Sequence, residues 1–444
     1  MYDLVLKNCT IVNEKSIFES DIAIKNDRIE SIASDISTEA KEIIDLNGKY
    51  VFPGFIDDQV HFREPGLTHK GDIASESFAG LAGGVTSYFE MPNVNPTTTT
   101  LENLDKKFEL AKQRSFSNYS FYLGASNTNI EEIKKVDPNL ASGLKVFMGA
   151  STGDMLVDNM NTLEEIFKHC PVNIVTHCEN TPRIKDLEKE FAEKYGDALN
   201  ASHHPYIRDD ESCYLSSSLA VDLAKKHGAN LHVLHLTTEK EMSLFAAGEI
   251  DDKKITAEVC VHHLHFSEKD YERLGNQIKC NPSVKKESDR QALIKAVNEN
   301  KIDIFATDHA PHTWEEKQQS YPDAPAGLPL LQHSFQILLD FYKNGIFTLE
   351  QIVEKSSHNI AKRFKIKDRG YIREGYYADL AVIDIDKPYK VEKSNILYKC
   401  GWSPFLDHVF SSSVYMTIIN GNVAFRDGKV NKDIPFGEQI EFDR

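Results

Sequence analysis

Three histidines, an aspartate and a lysine stand at comparable places in separate apolar runs of this 444-residue chain. His61 follows PGFIDDQV, Lys145 lies within GLKVFM, His177 ends VNIVTH, His235 lies near the end of NLHVLHL, and Asp308 follows IDIFAT. Neutral imidazoles with a carboxylate are the donor set of zinc or another borderline divalent ion. A single histidine at a strand end is more often a satisfied core or surface residue than a ligand. Three at equivalent ends, with a carboxylate on a fourth run, point to a metal instead. His262, His263 and His265 crowd a further run. The donor set needs only three histidine-bearing strands, so this trio reads as structural or supporting.

Lys145 sits in a run that must be buried, where an ammonium is costly unless paired or neutralised. Either its stem carries the charge to the rim beside an Asp or Glu, or its neutral amine adds CO2. The resulting carbamate is an anion whose two oxygens can bridge two cations, and the position among metal donors favours it. Arg63 lies two residues after His61, so on extended chain both point the same way. A guanidinium beside a metal in an acidic protein suits a substrate carboxylate; the alternative is a structural ion pair with Glu64. Asn93 in MPN and Asn281 in CNP either cap turns or hydrogen-bond a polar ring.

Something must bring these residues together. Eight apolar strand-like runs span 53–58, 85–89, 118–124, 143–148, 172–177, 230–236, 255–261 and 302–307. Helical patterns separate most of them: 101–114 with Leu101, Leu104, Phe108 and Ala111 on one face, 182–195 with Ile184, Leu187, Phe191 and Tyr195, and 288–299 with Leu293, Ala296 and Val297. Strands alternating with helices predict a parallel sheet with right-handed crossovers, and eight such units predict a (β/α)8 barrel. A barrel puts its chemistry at the C-terminal ends of its strands, which is where His61, Arg63, Asn93, Lys145, His177, His235 and Asp308 fall. The two ends of the chain alternate like short strands instead, with turns at Lys25-Asn26-Asp27 and Asn420-Gly421. The economical arrangement is a small composite β domain from residues 1–52 and 366–444 beside a catalytic barrel from 53–365.

Composition narrows the function. Hydrophobic residues make up 41% of the chain, enough for a large core and too many for a disordered one. Asp and Glu number 68 against 51 Lys and Arg, a net charge of −17, which disfavours nucleic acid or an anionic membrane as main partner. No export signal opens the chain and no apolar stretch approaches 18 residues. The seven cysteines are scattered, with no CxxC pair, as reduced cytoplasmic thiols are. The expectation is a soluble cytoplasmic enzyme acting on a small molecule.

At these residues the sequence resembles the cyclic amidohydrolases, and within them the dihydroorotases. The matching segments are PGFIDDQVHFREPG, AGGVTSYFEMPNVNP, GLKVFM, THCE, LHVLHLTT, TAEVCVHHL, CNPSVK, ATDHAPHT and APAGLP, spread over most of the chain. The resemblance implies a metal-bearing barrel with a small β-sandwich from both termini. It also implies that His61 and Asp308 bind one ion, that His177 and His235 bind the other, and that Lys145 bridges them as a carbamate. Arg63, Asn93, Asn281 and His312 would line the substrate pocket under the Ala326-Gly327 backbone, with Asp308 as proton shuttle. One departure stands out: the family's first strand ends in a His-x-His pair, and here the first member is Gln59. A carboxamide oxygen ligates weakly and prefers harder ions, so the expectation is one or two zinc ions, the first weakly held.

The reaction this implies is the reversible cyclisation of N-carbamoyl-L-aspartate to L-dihydroorotate, a step of pyrimidine biosynthesis. Hydantoins and allantoin lack the ring carboxylate that gives Arg63 an obvious task. The alternatives are a hydantoinase, dihydropyrimidinase or allantoinase, and, because of Gln59, a non-catalytic partner of aspartate transcarbamoylase. A homo-oligomer is expected. The Gly/Pro-bearing segments 64–75 and 313–327 are the expected mobile covers.

Overall fold

The computed structural model describes residues 1–149 and 155–444, and its first strands follow the alternation of the sequence. β1 (Tyr2–Asn13) pairs antiparallel with β2 (Ser16–Lys25), and β2 with β3 (Arg28–Ala33), while β4 (Ala40–Asp45) and β5 (Tyr50–Pro53) run parallel to β1. The tight β2–β3 turn puts Asn26 at φ 55°, a left-handed conformation that asparagine tolerates better than most residues.

The pattern then changes to continuous apolar runs, as expected of strands covered on both faces. β6 (Phe55–Val60), β7 (Val85–Glu90), β8 (Asn118–Phe121), β9 (Leu123–Gly124), β10 (Leu144–Phe147), β11 (Ile174–His177), β12 (Leu231–Val233), β13 (Ile255–Cys260) and β14 (Ile304–Ala306) are almost wholly buried. Apart from β8 and β9, consecutive strands pair in parallel. The expected strand 118–124 is interrupted at Tyr122, so its first half (β8) bonds β7 and its second half (β9) bonds β10. A parallel bridge between Val60 and His309, with the His61 N–H donating to the His309 carbonyl at 2.7 Å, closes the ring into an eight-stranded barrel.

Helices wrap the barrel: α1 (Ile73–Ala82), α2 (Leu101–Lys112), α3 (Met160–His169), α4 (Thr181–Tyr195), α5 (Asp210–His227), α6 (Glu287–Asn298) and α7 (Ser334–Lys343). Asp72, Thr100, Asn159, Asn180 and Asp209 cap the first five, each side-chain oxygen accepting a first-turn N–H. The face expected of α2 is buried at Leu104, Phe108 and Ala111. That of α4 is only partly so: Ile184 is buried, whereas Phe191 and Tyr195 pack on the His203 ring near the surface.

The C-terminal strands β15 (Leu380–Asp384), β16 (Ser413–Ile419), β17 (Asn422–Arg426) and β18 (Lys429–Val430) join the N-terminal ones in a nine-stranded sheet. Its path is β18-β17-β16-β15-β5-β1-β2-β3, with β4 on β1. Alternation gives this sheet two faces. Leu4, Ile11, Val51, Val382 and Met416 form a core enclosed by the sheet itself, and Phe52, Ala381 and Ile383 join the main core of the barrel. The segment 366–444 divides, however: Gln439 bridges Tyr119, Phe442 bridges Ile366, and Ile440 and Phe442 pack with Ile56, Val175, Ile304 and Phe364 against the barrel. The last residues thus belong to the barrel and not to the β domain. No helix among the described residues is long and apolar enough to cross a membrane.

A buried polar knot joins the two parts. Arg369 binds Asp379, donates to Asn420 Oδ1 at 2.7 Å and reaches Glu438 at 2.8 Å, while Asn118 at the start of β8 donates to Asp379 at 3.1 Å. Removing one partner of a buried ion pair strands the other charge, which costs about 3–5 kcal/mol. Arg369→Met should therefore lower stability by about that much in urea unfolding, and adding Asp379→Leu should recover a large part of it. A loss below about 1 kcal/mol, the value of an exposed pair, would show that the knot does not hold the two parts together.

Candidate active site

The strand ends converge on one pocket of about 100 Å³. Gln59 and His61 come from β6 and the residue after it, Lys145 from β10, His177 from the end of β11, His235 from just beyond β12 and Asp308 from just beyond β14. Arg63, Asn93, Asn281, Ala326 and Gly327 join them, and Phe147 and Ala310, which the sequence reading did not single out, complete the wall. His312 is not among these lining residues. Its Nε2 stands 3.0 Å from Arg63 Nη2 and 3.0 Å from the Ala326 carbonyl, so this one nitrogen either accepts from the arginine or donates to the loop.

Three of these residues hold left-handed backbone: Arg63 at φ 71°, His235 at 38° and Asp308 at 49°. For a residue with a Cβ this costs roughly 1–2 kcal/mol, and such strain gathers where a site needs a particular direction. Neighbours hold it in place. Glu258 accepts the His235 N–H at 2.9 Å, and Thr307, bonded to buried Asp57, accepts the His309 N–H at 2.9 Å. Gly327 sits at φ 131°, and a Cβ there would come within 2.6 Å of the Ala310 carbonyl oxygen, so the chain can pass this close only as glycine.

His177 Nε2 lies 2.8 Å from Glu179 and donates to it, which leaves the Nδ1 lone pair of the neutral ring facing His235 Nε2 at 3.0 Å. Burial pushes both imidazoles below their ordinary pKa. Glu179 stays ionised at about 2: burial raises it, but Arg208 and the His177 bond outweigh that. On the other side, His61 gives Nδ1 to Asn93 at 2.7 Å, which leaves the Nε2 lone pair of a neutral ring 3.0 Å from Asp308 Oδ1. Burial also opposes the Asp308 charge, yet the neighbouring His61, His262 and Lys145 leave its pKa lowered. Lys145 is pulled down to about 8 by burial, against Asp308 and Glu258, and its ammonium lies 4.6 Å from the Phe147 ring centre.

This set suits a divalent ion. Two neutral imidazole nitrogens facing each other at 3.0 Å need a proton or a cation between them, and the His61–Asp308 pair faces the same pocket. A lysine that titrates near 8 offers the neutral amine that CO2 addition requires.

Gln59 behaves differently from the weak ligand expected of it. Its Nε2 donates to Asp308 Oδ1 at 3.2 Å, and its Oε1 accepts from the Cys260 thiol at 3.7 Å. Flipping the amide would set two oxygens against each other, so Gln59 is a donor to Asp308. The Glu64 partner considered for Arg63 is also absent: Glu64 accepts the Ile73 N–H and faces Arg114. Arg63 donates Nε to the Pro311 carbonyl at 3.0 Å, and among the described residues no carboxylate pairs with it. Neither asparagine caps a turn with its side-chain oxygen: Asn93 accepts from His61, and Asn281 Oδ1 lies 3.2 Å from His204 Nε2. The covers 64–75 and 313–327 are tied down, with Lys70 bound to Glu316 at 3.1 Å and Lys317 donating to the carbonyls of Lys279, Pro325 and Gly327.

Glu179 and Arg208 were missed in the sequence. THCE held the signal for the first, since residues two apart on extended chain share a face. Asp58, His232 and Glu258 were missed because they lie inside runs read as strand core. Among the described residues, these three and the trio Cys260, His262 and His263 each bring their donor atoms within 4.8 Å of one another. The last three are not among the residues that line the pocket.

Residues 50–424 match the amidohydrolase family. An allantoinase of Desulfitobacterium hafniense is 31% identical over 99% of this chain and 98% of its own length. A dihydroorotase of Methanosphaera stadtmanae is 30% identical over 97% of this chain and 98% of its own. The solved L-hydantoinase (dihydropyrimidinase) of Arthrobacter aurescens superposes with a TM-score of 0.93 at 29% identity, over 99% of this chain and 100% of that one. With a family model that matches residues 50–424 and similarity along almost its whole length, this chain belongs to the amidohydrolase family.

Proposed function

We propose that the chain is a dihydroorotase, closing N-carbamoyl-L-aspartate to L-dihydroorotate and reopening it. The observation that carries this reading is Arg63: a buried guanidinium, still charged although burial lowers its pKa to about 10, lining the pocket beside the metal donors without a carboxylate partner among the described residues. A buried charge needs a counter-charge, and the ring carboxylate of dihydroorotate supplies one where hydantoin or allantoin supplies none. The dihydroorotase relative supports the reading. The allantoinase and hydantoinase relatives support the second one, a cyclic amidase for uncharged rings. The full set of His61, Lys145, His177, His235 and Asp308 favours catalysis over a non-catalytic scaffold.

A divalent ion at His177 and His235, or also at His61 and Asp308, supplies Lewis acidity toward a carbonyl and toward water. The chain's own residues do the remaining work. Arg63 grips the ring carboxylate, and Asn93 and Asn281 offer hydrogen bonds to the ring, so that the scissile carbonyl faces the rim. In ring opening, Asp308 takes the proton of the attacking water and passes it to the leaving ring nitrogen. In closure it takes the proton of the carbamoyl nitrogen and gives it to the departing oxygen. Gln59, donating to Asp308, holds that carboxylate in place.

Asp308→Asn should cut turnover in both directions by about 10²–10⁴-fold, with the metal content measured beside it; unchanged turnover would remove Asp308 from proton transfer. Arg63→Ala should reduce kcat/KM for dihydroorotate by about 10–100-fold more than for hydantoin. Equal losses on both, or better wild-type turnover of hydantoin or allantoin, would favour the second reading. Intact-mass measurement in bicarbonate should find Lys145 heavier by one CO2. A bare amine in metal-loaded protein would rule out the bridging carbamate.

A further inference from the structure

Below the rim, Asp58, His232 and Glu258 meet inside the barrel, each 0% exposed. β14 separates β6 from β13 and β12 in the ring, so a side chain of β6 can reach these two strands only through the lumen. The three residues are tethered from behind. His232 Nδ1 lies 2.8 Å from the Thr256 hydroxyl, whose own proton is directed to the Leu231 carbonyl at 3.4 Å, so Nδ1 donates and Nε2 is turned toward the two carboxylates; burial lowers the His232 pKa, but Asp58 and Glu258 outweigh it and raise it to about 9. Glu258 Oε1 accepts the His235 N–H.

What they present to one another has no partner: Asp58 Oδ1 and Oδ2, Glu258 Oε2 and His232 Nε2 are all buried without a hydrogen bond. Leaving such a group unmet costs about 1–3 kcal/mol, and more when it is charged, so orphaned atoms in a native interior call for a water or an ion. Spacing and charge select the ion. His232 Nε2 lies 3.4 Å from Asp58 Oδ2 and 3.5 Å from Glu258 Oε2. Two donors held by one tetrahedral ion at about 2.0–2.1 Å stand about 3.3–3.4 Å apart. A water satisfies the hydrogen bonds but leaves two carboxylates facing each other, and a proton on His232 answers only one of those charges, whereas a divalent cation neutralises both.

We infer that Asp58, His232 and Glu258 bind a divalent transition-metal ion inside the barrel, separate from any ion at the rim. Two carboxylates and an imidazole suit zinc, manganese or iron(II), and the Thr256 bond orients the histidine as an outer partner orients a metal ligand. Because the three side chains are closed off from solvent, the ion enters as the chain folds and exchanges slowly afterwards. Its link to the rim is Glu258, which binds the ion through one oxygen and the His235 backbone through the other.

The test is an anomalous difference map of wild-type protein expressed with zinc and manganese in the medium, recorded at both metal edges, with metal analysis after native dialysis against EDTA. The expected result is a peak between Asp58, His232 and Glu258, and about one chelator-resistant ion per chain that Asp58→Leu abolishes. A rim peak without an inner one overturns the inference and leaves the proposed function intact. In that case His232 is instead the imidazolium that the two carboxylates favour. An inner peak without rim metal supports the inference and counts against the proposed function. The wild-type map decides the matter even if Asp58→Leu does not fold.

Discussion

A parallel barrel takes polar groups out of water, and every one it buries must be answered inside it. That constraint shapes the functional end of this molecule. The rim carries two facing imidazoles, a carboxylate beside a third, a lysine pulled down to about 8 and a guanidinium without an acid. None of these is at ease alone in a buried pocket. Each becomes so when an ion, a CO2 adduct or an anionic ligand arrives, which means that the unmet demand of the site describes what it binds.

The answers are layered. Glu179 fixes the tautomer of His177, and Arg208, on the far side, keeps Glu179 ionised. Arg208 also lines a neighbouring cavity of about 440 Å³ that shares Asn281 and Ala326 with the rim pocket. A chain of three side chains, Arg208, Glu179 and His177, therefore runs from that cavity to the rim. On the other wall, Lys317 fastens three carbonyls around the Ala326-Gly327 turn, so the loop above the rim is held by one buried side chain together with the glycine its path requires.

Much of this was legible in the sequence because it rests on periodicity and on residue types with few alternatives. The change from alternating runs to continuous ones separates sheet from barrel, and a histidine or aspartate just past a strand can only be at its rim. What escaped was of two kinds. Geometry between strands cannot be read from either strand alone: Asp58, His232 and Glu258 look like interruptions in three apolar runs, and only closure of the ring makes them neighbours. Side-chain orientation is the other. Glu64 follows Arg63 in sequence yet turns to Ile73 and Arg114, and the α4 face looks amphipathic although only Ile184 is buried.

Gln59 joins both lessons. An imidazole at this position would share an ion with His61; a carboxamide whose oxygen faces a thiol does not, and its nitrogen binds Asp308. Asp308 Oδ1 then accepts from Gln59 and faces His61 Nε2, which leaves the other oxygen free to carry a proton. The substitution weakens the His61 side as a metal site and strengthens the hold on the residue that the proposed reaction uses as its base. On the proposed reading it moves the burden of holding an ion toward His177 and His235, where Glu179 turns the His177 lone pair to the neighbouring ring. On the proposed reading, a rim built this way does not need two equivalent ions: His177 and His235 would hold the metal, and Asp308 would manage the proton.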